Sequence, residues 1–194
     1  MKLKKNSLAP AMACCWLLLV AMGLTGCSRS LTWKEEVQLS DTRVVVVERE
    51  ILDEGGGDEW AANRSMSKPK EDVIRYIEPT TSPQRIEWRS TRKSPRQWPE
   101  IPLVLDVENG QPVVFSIVAT SEVCEMYVKY VYRNGVWSEV VLPGTFERRT
   151  TNLFLRLGTD MPTFVGLQQK QLENASDDYR QSLKQVGPNL RVCG

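Results

Sequence analysis

Residues 123–142 read VCEMYVKYVYRNGVWSEVVL, two runs of alternating apolar and polar residues on either side of an Asn-Gly pair. Alternation with a period of two is typical of a strand that buries one face. Asn-Gly is favoured in the tight turn between antiparallel strands, because both positions need a positive φ. We therefore predict a hairpin with strands over Val123–Tyr132 and Val136–Leu142 and a turn at Arg133-Asn134-Gly135.

Other segments of the chain have the composition of strands. Asn109-Gly110-Gln111-Pro112 and Ser40-Asp41-Thr42 have turn chemistry and predict two further hairpins. The stretches Glu54–Lys70 and Thr80–Pro102 lack periodicity and are interpreted mainly as loops. The further predicted strands are Leu31–Leu39, Arg43–Ile51, Asp72–Glu78, Arg85–Arg89, Leu103–Glu108, Val113–Ala119 and Leu153–Leu157.

Apolar residues recur at helical spacing near the end of the chain, from Phe164 to Leu183. Pro162 suits the first helical position, and Gly187-Pro188 predicts the end of the helix. A break near Asn174-Ala175-Ser176 stays open, since Asn and Ser compete with the helix backbone. The fold class predicted is mainly β (α+β), an antiparallel sheet or sandwich of about 7–9 strands with one C-terminal helical segment.

The N-terminus has the pattern of an export signal. Lys2, Lys4 and Lys5 precede an apolar run over Ala11–Leu24. That run is shorter than the roughly 20 residues of a membrane-spanning helix and fits the apolar part of a signal peptide. An uncleaved anchor that extends back to Leu8 is the alternative.

The tetrapeptide Leu24-Thr25-Gly26-Cys27 follows this run directly and resembles the lipobox of bacterial lipoproteins. The resemblance implies that Cys27 is acylated, with palmitate among its chains, and becomes the first residue of the mature protein. Ser28 stands where Asp would favour the inner membrane, which implies an outer-membrane anchor with the domain in the periplasm. An ordinary signal peptide with an incidental cysteine is the alternative.

The mature part carries a second resemblance. Thr32–Leu39 followed by Arg43–Arg49 is similar to the opening hairpin of uncharacterised proteobacterial proteins predicted to be lipoproteins. Their turn is usually Asp-Gly-Arg, whereas this chain has Thr42 at the central position, where a positive φ is costly for a branched residue. The resemblance implies a location and no activity.

Length and composition bound the remaining possibilities. The chain has 194 residues, with 25 Lys and Arg against 24 Asp and Glu and no histidine. The charge balance argues against binding of nucleic acid, and the lack of histidine excludes Ser-His-Asp triads and histidine zinc sites. We predict no cofactor and no metal. The predicted organisation is a signal peptide over 1–26, a lipidated end and short tether over 27–31, and one β-rich periplasmic domain over 32–194.

Cys124 and Cys193 are the cysteines that stay free once Cys14 and Cys15 leave with the signal and Cys27 is lipidated. The periplasm is oxidising, so a disulfide between them is predicted. Two separate thiols are the alternative. A redox-active site is not expected, because the sequence has no Cys-X-X-Cys motif.

Residues 85–98 interleave basic side chains with two tryptophans. Such a segment could contact a glycan, an anionic head group or an envelope protein through charge and cation–π contacts. A solvated loop with its tryptophans folded back on the sheet is the alternative. The predicted contact residues are Arg85, Trp88, Arg89, Arg92, Lys93, Arg96 and Trp98.

These observations predict a membrane-anchored envelope lipoprotein with a non-catalytic binding or scaffold role. Its expected partners are the lipid bilayer, through acylated Cys27, and an envelope protein or glycan. One alternative is a hydrolase that acts on envelope glycans through a pair of carboxylates. This alternative stays open because the chain has many acidic residues and nothing in the sequence selects a pair. A second alternative is an envelope-exclusion lipoprotein carried by a mobile element.

Overall fold

The computed structural model describes residues 30–54, 68–77, 84–155, 161–188 and 191–193. Within these ranges the chain forms twelve strands and two short helices, so the prediction of a mainly β fold is confirmed. Eight of the strands have five or more residues. In chain order the elements are β1 Ser30–Gln38, β2 Val44–Glu54, β3 Lys68–Ile77, β4 Arg85–Arg89, β5 Ile101–Glu108, β6 Gln111–Ala119, β7 Cys124–Arg133, β8 Val136–Val140, β9 Arg149–Thr150, β10 Phe164–Val165, α1 Leu167–Asn174, α2 Gln181–Lys184, β11 Gln185–Val186 and β12 Arg191–Cys193.

Two five-stranded sheets carry the fold. The first has the order β10-β1-β2-β3-β4, and the second has the order β12-β7-β6-β5 with β8 also paired to β7. Neighbouring strands are antiparallel except β10, which runs parallel to β1. A third, small pair joins β9 and β11.

The main core lies between the two sheets. Alternate residues of β1 point inward, as the period of two requires, while β6 is buried along almost its whole length because both of its faces are covered. Trp88 of β4 and Tyr130 of β7 meet edge to face, with ring centroids 5.6 Å apart. A second cluster packs the C-terminal segment, including Tyr179 and Val186, onto the other face of the second sheet.

Side chains close the sandwich along both edges. Asn152 accepts a hydrogen bond from the Leu105 amide at 3.0 Å and donates to the carbonyls of Leu105 and Gln38 at 2.8 and 3.0 Å. It thereby connects β5 to β1. At the opposite edge, Trp137 of β8 donates its indole N–H to the carbonyl of Glu87 in β4 at 2.7 Å.

The hairpin predictions are confirmed. Asn134 and Gly135 adopt φ of 51° and 83° between β7 and β8, and Asn109 and Gly110 adopt 51° and 74° between β5 and β6. The β1–β2 turn does place Thr42 at a φ of 71°, a strained conformation for a branched residue. A hydrogen bond from the Arg43 amide to the Asp41 carboxylate stabilises this turn.

Two predictions about the C-terminal part are wrong. Residues 153–155 of the predicted strand Leu153–Leu157 are irregular and buried, and the last two lie outside the described residues. The predicted helical stretch starts too early, because Phe164 pairs with Lys34 of β1 and α1 begins only at Leu167. The break that stayed open near Asn174-Ala175-Ser176 is confirmed, since α1 ends at Asn174, whose side chain bonds the amide of Leu155 and the carbonyl of Leu153, both at 2.8 Å.

The long irregular stretches are shorter than predicted. Strand β3 already begins at Lys68 and strand β5 at Ile101, since these residues pair with β2 and β6. Residues 55–67 and 78–83 of the two predicted loops lie outside the described residues.

The buried hydroxyl of Tyr179 leads us to expect that the protein loses stability at alkaline pH. Its hydroxyl donates to the Leu155 carbonyl at 2.6 Å, and burial raises the pKa of this phenol to about 12, with smaller contributions from Glu173 and Asp178. Because the folded-state pKa exceeds the unfolded value near 10, this contribution to stability is complete below pH 10 and is lost as the pH rises toward 12. We expect Tyr179→Phe to be less stable by about 1–2 kcal/mol at pH 8 and to lose stability less steeply above pH 10. Urea unfolding at several pH values tests this, and parallel curves for the two proteins would contradict it.

A cleft between the sheets as the candidate functional site

The two ends of the sandwich differ in structure. The β1–β2, β5–β6 and β7–β8 turns lie at one end, where Ser40 donates to Asp106 from both its amide and its hydroxyl. At the other end the sheets separate around a cleft of about 1100 Å³. Ser30, where β1 begins, lies at this end and is paired with Leu52. Ligand pockets in proteins are typically about 300–1,000 Å³, so the cleft is large enough for a ligand.

Apolar side chains from both sheets form most of the walls. Ile51 of β2, Ile117 of β6 and Phe154 are buried at its surface. Ile101 at the start of β5 and Trp98 just before it are 42% and 37% exposed, which leaves them available to a ligand.

A buried ion cluster borders the deep side of the cleft. Arg49 and Asp72 line it, with Nη2 of Arg49 3.3 Å from Oδ1 of Asp72. Glu35 extends the cluster away from the cleft, binding Nη1 of Arg49 at 3.0 Å and Nζ of Lys170 at 3.1 Å. Burial lowers the pKa of Lys170, and repulsion from Arg49 adds to this, whereas Glu35 opposes it. Lys170 also donates to the Glu36 carbonyl.

Arg49 stacks on an aromatic ring in the same wall. Its guanidinium carbon lies 5.1 Å from the ring centroid of Trp33, a cation–π arrangement in a desolvated site. Within the described part of the chain, neither Nε of Arg49 nor Nε1 of Trp33 has a hydrogen-bond partner. The deep wall therefore presents an aromatic face and a paired, delocalised cation.

Two ion pairs stand at the rim of the cleft. Arg96 binds Glu122 and Arg180 binds Glu125, each with an N–O distance of 2.6 Å. Both arginines are mostly exposed, and Glu122 is 81% exposed, so the Arg96–Glu122 pair contributes little to stability. Glu125 is 14% exposed and also accepts a hydrogen bond from the Ser182 hydroxyl at 2.9 Å, so the Arg180–Glu125 pair is held more firmly. Arg96 can therefore exchange its partner for a ligand group at a smaller cost than Arg180.

A buried carboxylate holds the loop that carries Arg96 and Trp98. Glu100 is fully buried and accepts hydrogen bonds from the amides of Thr91 and Arg92 at 2.8 and 3.0 Å. The hydroxyls of Ser116 and Tyr130 also donate to it. Burial, together with the nearby Glu100 charge, raises the pKa of Tyr130, so this hydroxyl keeps its proton and its bond. Residues 91–100 are thus fixed against the second sheet.

The predicted contact residues do not form one surface. Trp88 is 1% exposed and packs in the core, so its prediction as a contact residue is wrong: the alternation of β4 turns it inward. The other predicted contact residues lie in three places. Arg85 and Arg89 are on the outward face of β4, where they pair with Glu48 and Glu87. Arg92 is bonded to Glu139 and Lys93 is exposed outside the cleft, whereas Arg96 and Trp98 line the cleft.

Sequence reasoning missed the deep wall of the cleft. Trp33 and Arg49 are directly opposite each other in the β1–β2 ladder, and the same alternation that places apolar residues inward places Glu35 and Arg49 inward. Charged residues at inward positions of strands were the signal that could have identified this site. Arg180 and Asp72 come from distant segments, and pairwise spacing in the sequence does not connect them.

The disulfide prediction is confirmed in the structure, which joins Cys124 to Cys193. These residues are also paired in the β7–β12 ladder, at the end of the second sheet that borders the cleft. Cys27 lies outside the described residues.

No family model matches this sequence, and no curated protein or solved structure shows significant similarity to it. Neither helix in the described ranges is long and apolar enough to cross a bilayer. The described residues also hold no group of three or more acidic or cysteine side chains placed to bind a metal ion.

Proposed function

We propose that this protein is an outer-membrane lipoprotein, anchored through acylated Cys27, whose periplasmic domain binds a ligand in the cleft between its sheets without transforming it. The observation that carries the binding role is the cleft itself, with apolar walls, an exposed Trp98 and two ion pairs at its rim. Concave, mostly apolar sites with a few placed charges are typical of ligand binding.

The carboxylates at the cleft favour binding over hydrolysis. Asp72 is bonded to Arg49, Glu122 to Arg96 and Glu125 to Arg180. Glycoside hydrolysis needs one carboxyl group to donate a proton and a second to act on the sugar or on water. Each of these carboxylates would have to leave its arginine partner before it could contact a sugar in either role.

The anchor is tested by Cys27→Ser. We expect this variant to lose incorporation of labelled palmitate completely, because serine provides no sulfur for acylation. The measurement is metabolic labelling of intact cells. Equal labelling of the variant and the parent would refute the anchor.

The non-catalytic role is tested with the purified full chain and isolated envelope components. We expect peptidoglycan, lipopolysaccharide and phospholipid to keep their masses after prolonged incubation. Product formation that is abolished by substitution of a single Asp or Glu would overturn the binding role in favour of a carboxylate-dependent hydrolase.

A further inference from the structure

The position of the cleft relative to the N-terminus determines which ligands can reach the cleft. Ser30 begins β1 and pairs with Leu52, and Pro69, which lines the cleft, pairs with the neighbouring Asp53. Cys27 precedes Ser30 by three residues, which span at most about 10 Å of extended chain. In a protein anchored at Cys27, the end of the sandwich that contains the cleft is therefore held beside the membrane surface.

The distribution of polarity in the cleft matches an amphiphile. Apolar and aromatic side chains contribute most of the surface between the sheets, and the deep charges of Arg49 and Asp72 are already paired with each other. The hydroxyls that also line the cleft, those of Ser94, Thr120 and Ser121, are bonded to nearby backbone groups. The exposed charges of the cleft, Arg96, Glu122 and Arg180, are concentrated at the rim, where Arg180 is paired with the partly buried Glu125. A soluble sugar would need hydrogen-bonding groups along the walls, whereas an acyl chain needs apolar walls and a head group needs a charged rim.

The two rim pairs offer both signs of charge. Arg96 and Arg180 can bind a phosphate, for which guanidinium groups are well suited, while Glu122 and Glu125 can accept hydrogen bonds from an ammonium group. This combination is complementary to a zwitterionic head group. A purely anionic head group would satisfy the arginines and meet repulsion from both glutamates.

We propose that the cleft binds an acyl chain of a phospholipid from the membrane that holds the protein, with a zwitterionic head group placed between the two rim pairs. This inference rests on the anchor at Cys27. The anchor keeps the cleft at a high effective concentration of membrane lipid, so binding requires only modest intrinsic affinity.

The test uses the full acylated chain in vesicles of phosphatidylethanolamine and phosphatidylglycerol that contain a small amount of phosphatidylethanolamine with a diazirine in its acyl chain. After irradiation, mass spectrometry of peptides locates the adducts. We expect phospholipid adducts on the peptides that contain Trp98, Ile101 and Ile117. An absence of adducts on these peptides, in protein that remains with the vesicles, would overturn the inference.

Ile101→Glu is the matched variant, because this side chain lines the cleft and is exposed enough for the fold to tolerate a charge. We expect its cleft adducts to fall at least about tenfold, since an ionised carboxylate against an acyl chain is strongly unfavourable.

Val136→Glu is the control. Val136 is a β-branched residue at the start of β8, is 61% exposed and lies at the opposite end of the sandwich. Its labelling should equal that of the parent. Equal labelling of Ile101→Glu and Val136→Glu would show contact with the vesicle surface alone and would refute the cleft.

Three further measurements distinguish the ways in which this inference could fail. If Ile101→Glu changes the circular dichroism spectrum, Trp98→Ala takes its place with the same expected loss of cleft adducts. Phosphatidylglycerol with the same diazirine chain should label the cleft more weakly, and equal labelling would overturn the head-group placement. An N-terminal peptide without acyl mass on Cys27, measured before reconstitution, refutes the anchor and removes the inference with it.

Discussion

Glu35→Gln is expected to destabilise the protein by about 3–5 kcal/mol, because it removes the negative charge that Arg49 and Lys170 share. Both cations are almost fully buried, and the amide of Phe154 also donates to Glu35 at 2.8 Å. Glutamine preserves the shape but presents an N–H₂ group to these donors. Urea unfolding at neutral pH, followed by tryptophan fluorescence, measures the loss.

Two variants show whether the buried charge causes this effect. Glu122→Gln breaks an Arg–Glu pair whose acid is 81% exposed, and it should cost less than about 1 kcal/mol. In Glu35→Gln, Arg49 keeps Asp72 as a partner, whereas Lys170 loses its carboxylate. Addition of Lys170→Met to Glu35→Gln removes that buried cation and should restore part of the stability. If Glu35→Gln costs no more than Glu122→Gln, the cluster is not a determinant of stability.

Loss of the disulfide is the second large effect. Cys124 and Cys193 are 69 residues apart, and the chain-entropy model assigns roughly 4 kcal/mol to a crosslink that closes a loop of this length. The strand it secures is short, since β12 pairs only Arg191–Cys193 with β7. We expect the double variant Cys124→Ala, Cys193→Ala to unfold at a markedly lower urea concentration than the parent.

The reductant supplies the control for this prediction. Reduction should lower the urea midpoint of the parent to that of the double variant and leave the double variant unchanged. Alkylation of the unfolded parent without reductant should modify neither Cys124 nor Cys193. A parent that binds two alkyl groups at these positions, or that unfolds at the same midpoint with and without reductant, would contradict the expected role of the bond.

The hairpins could be predicted because their determinants are local. Asn109-Gly110 and Asn134-Gly135 adopt the positive φ that their turns need, and the alternating runs beside them pair as strands. The bounds of the C-terminal helices could not be predicted in full, because they depend on distant partners. Phe164 joins β1, and Asn174 uses its amide on the backbone of residues 153 and 155.

The candidate site shows the same limit. Arg96 and Trp98 belong to the segment that the sequence singled out, but Trp88 from the same segment lies in the core. The period of a strand states that neighbouring residues face opposite sides, and it does not state which side meets the other sheet. For this reason the sequence did not predict that Trp33 and Arg49 form the deep wall of the cleft.

The sequence by itself determined the strand-rich class, the hairpin turns and the disulfide partners, since these depend on short-range periodicity, on backbone conformations that few residues adopt, and on a count of cysteines. Only the tertiary structure decided where the sheets separate and which charges are buried together. Glu35, Arg49, Asp72 and Lys170 meet because two strand pairings and one helix bring them into contact, and the free energy of their burial exists only after those long-range contacts form.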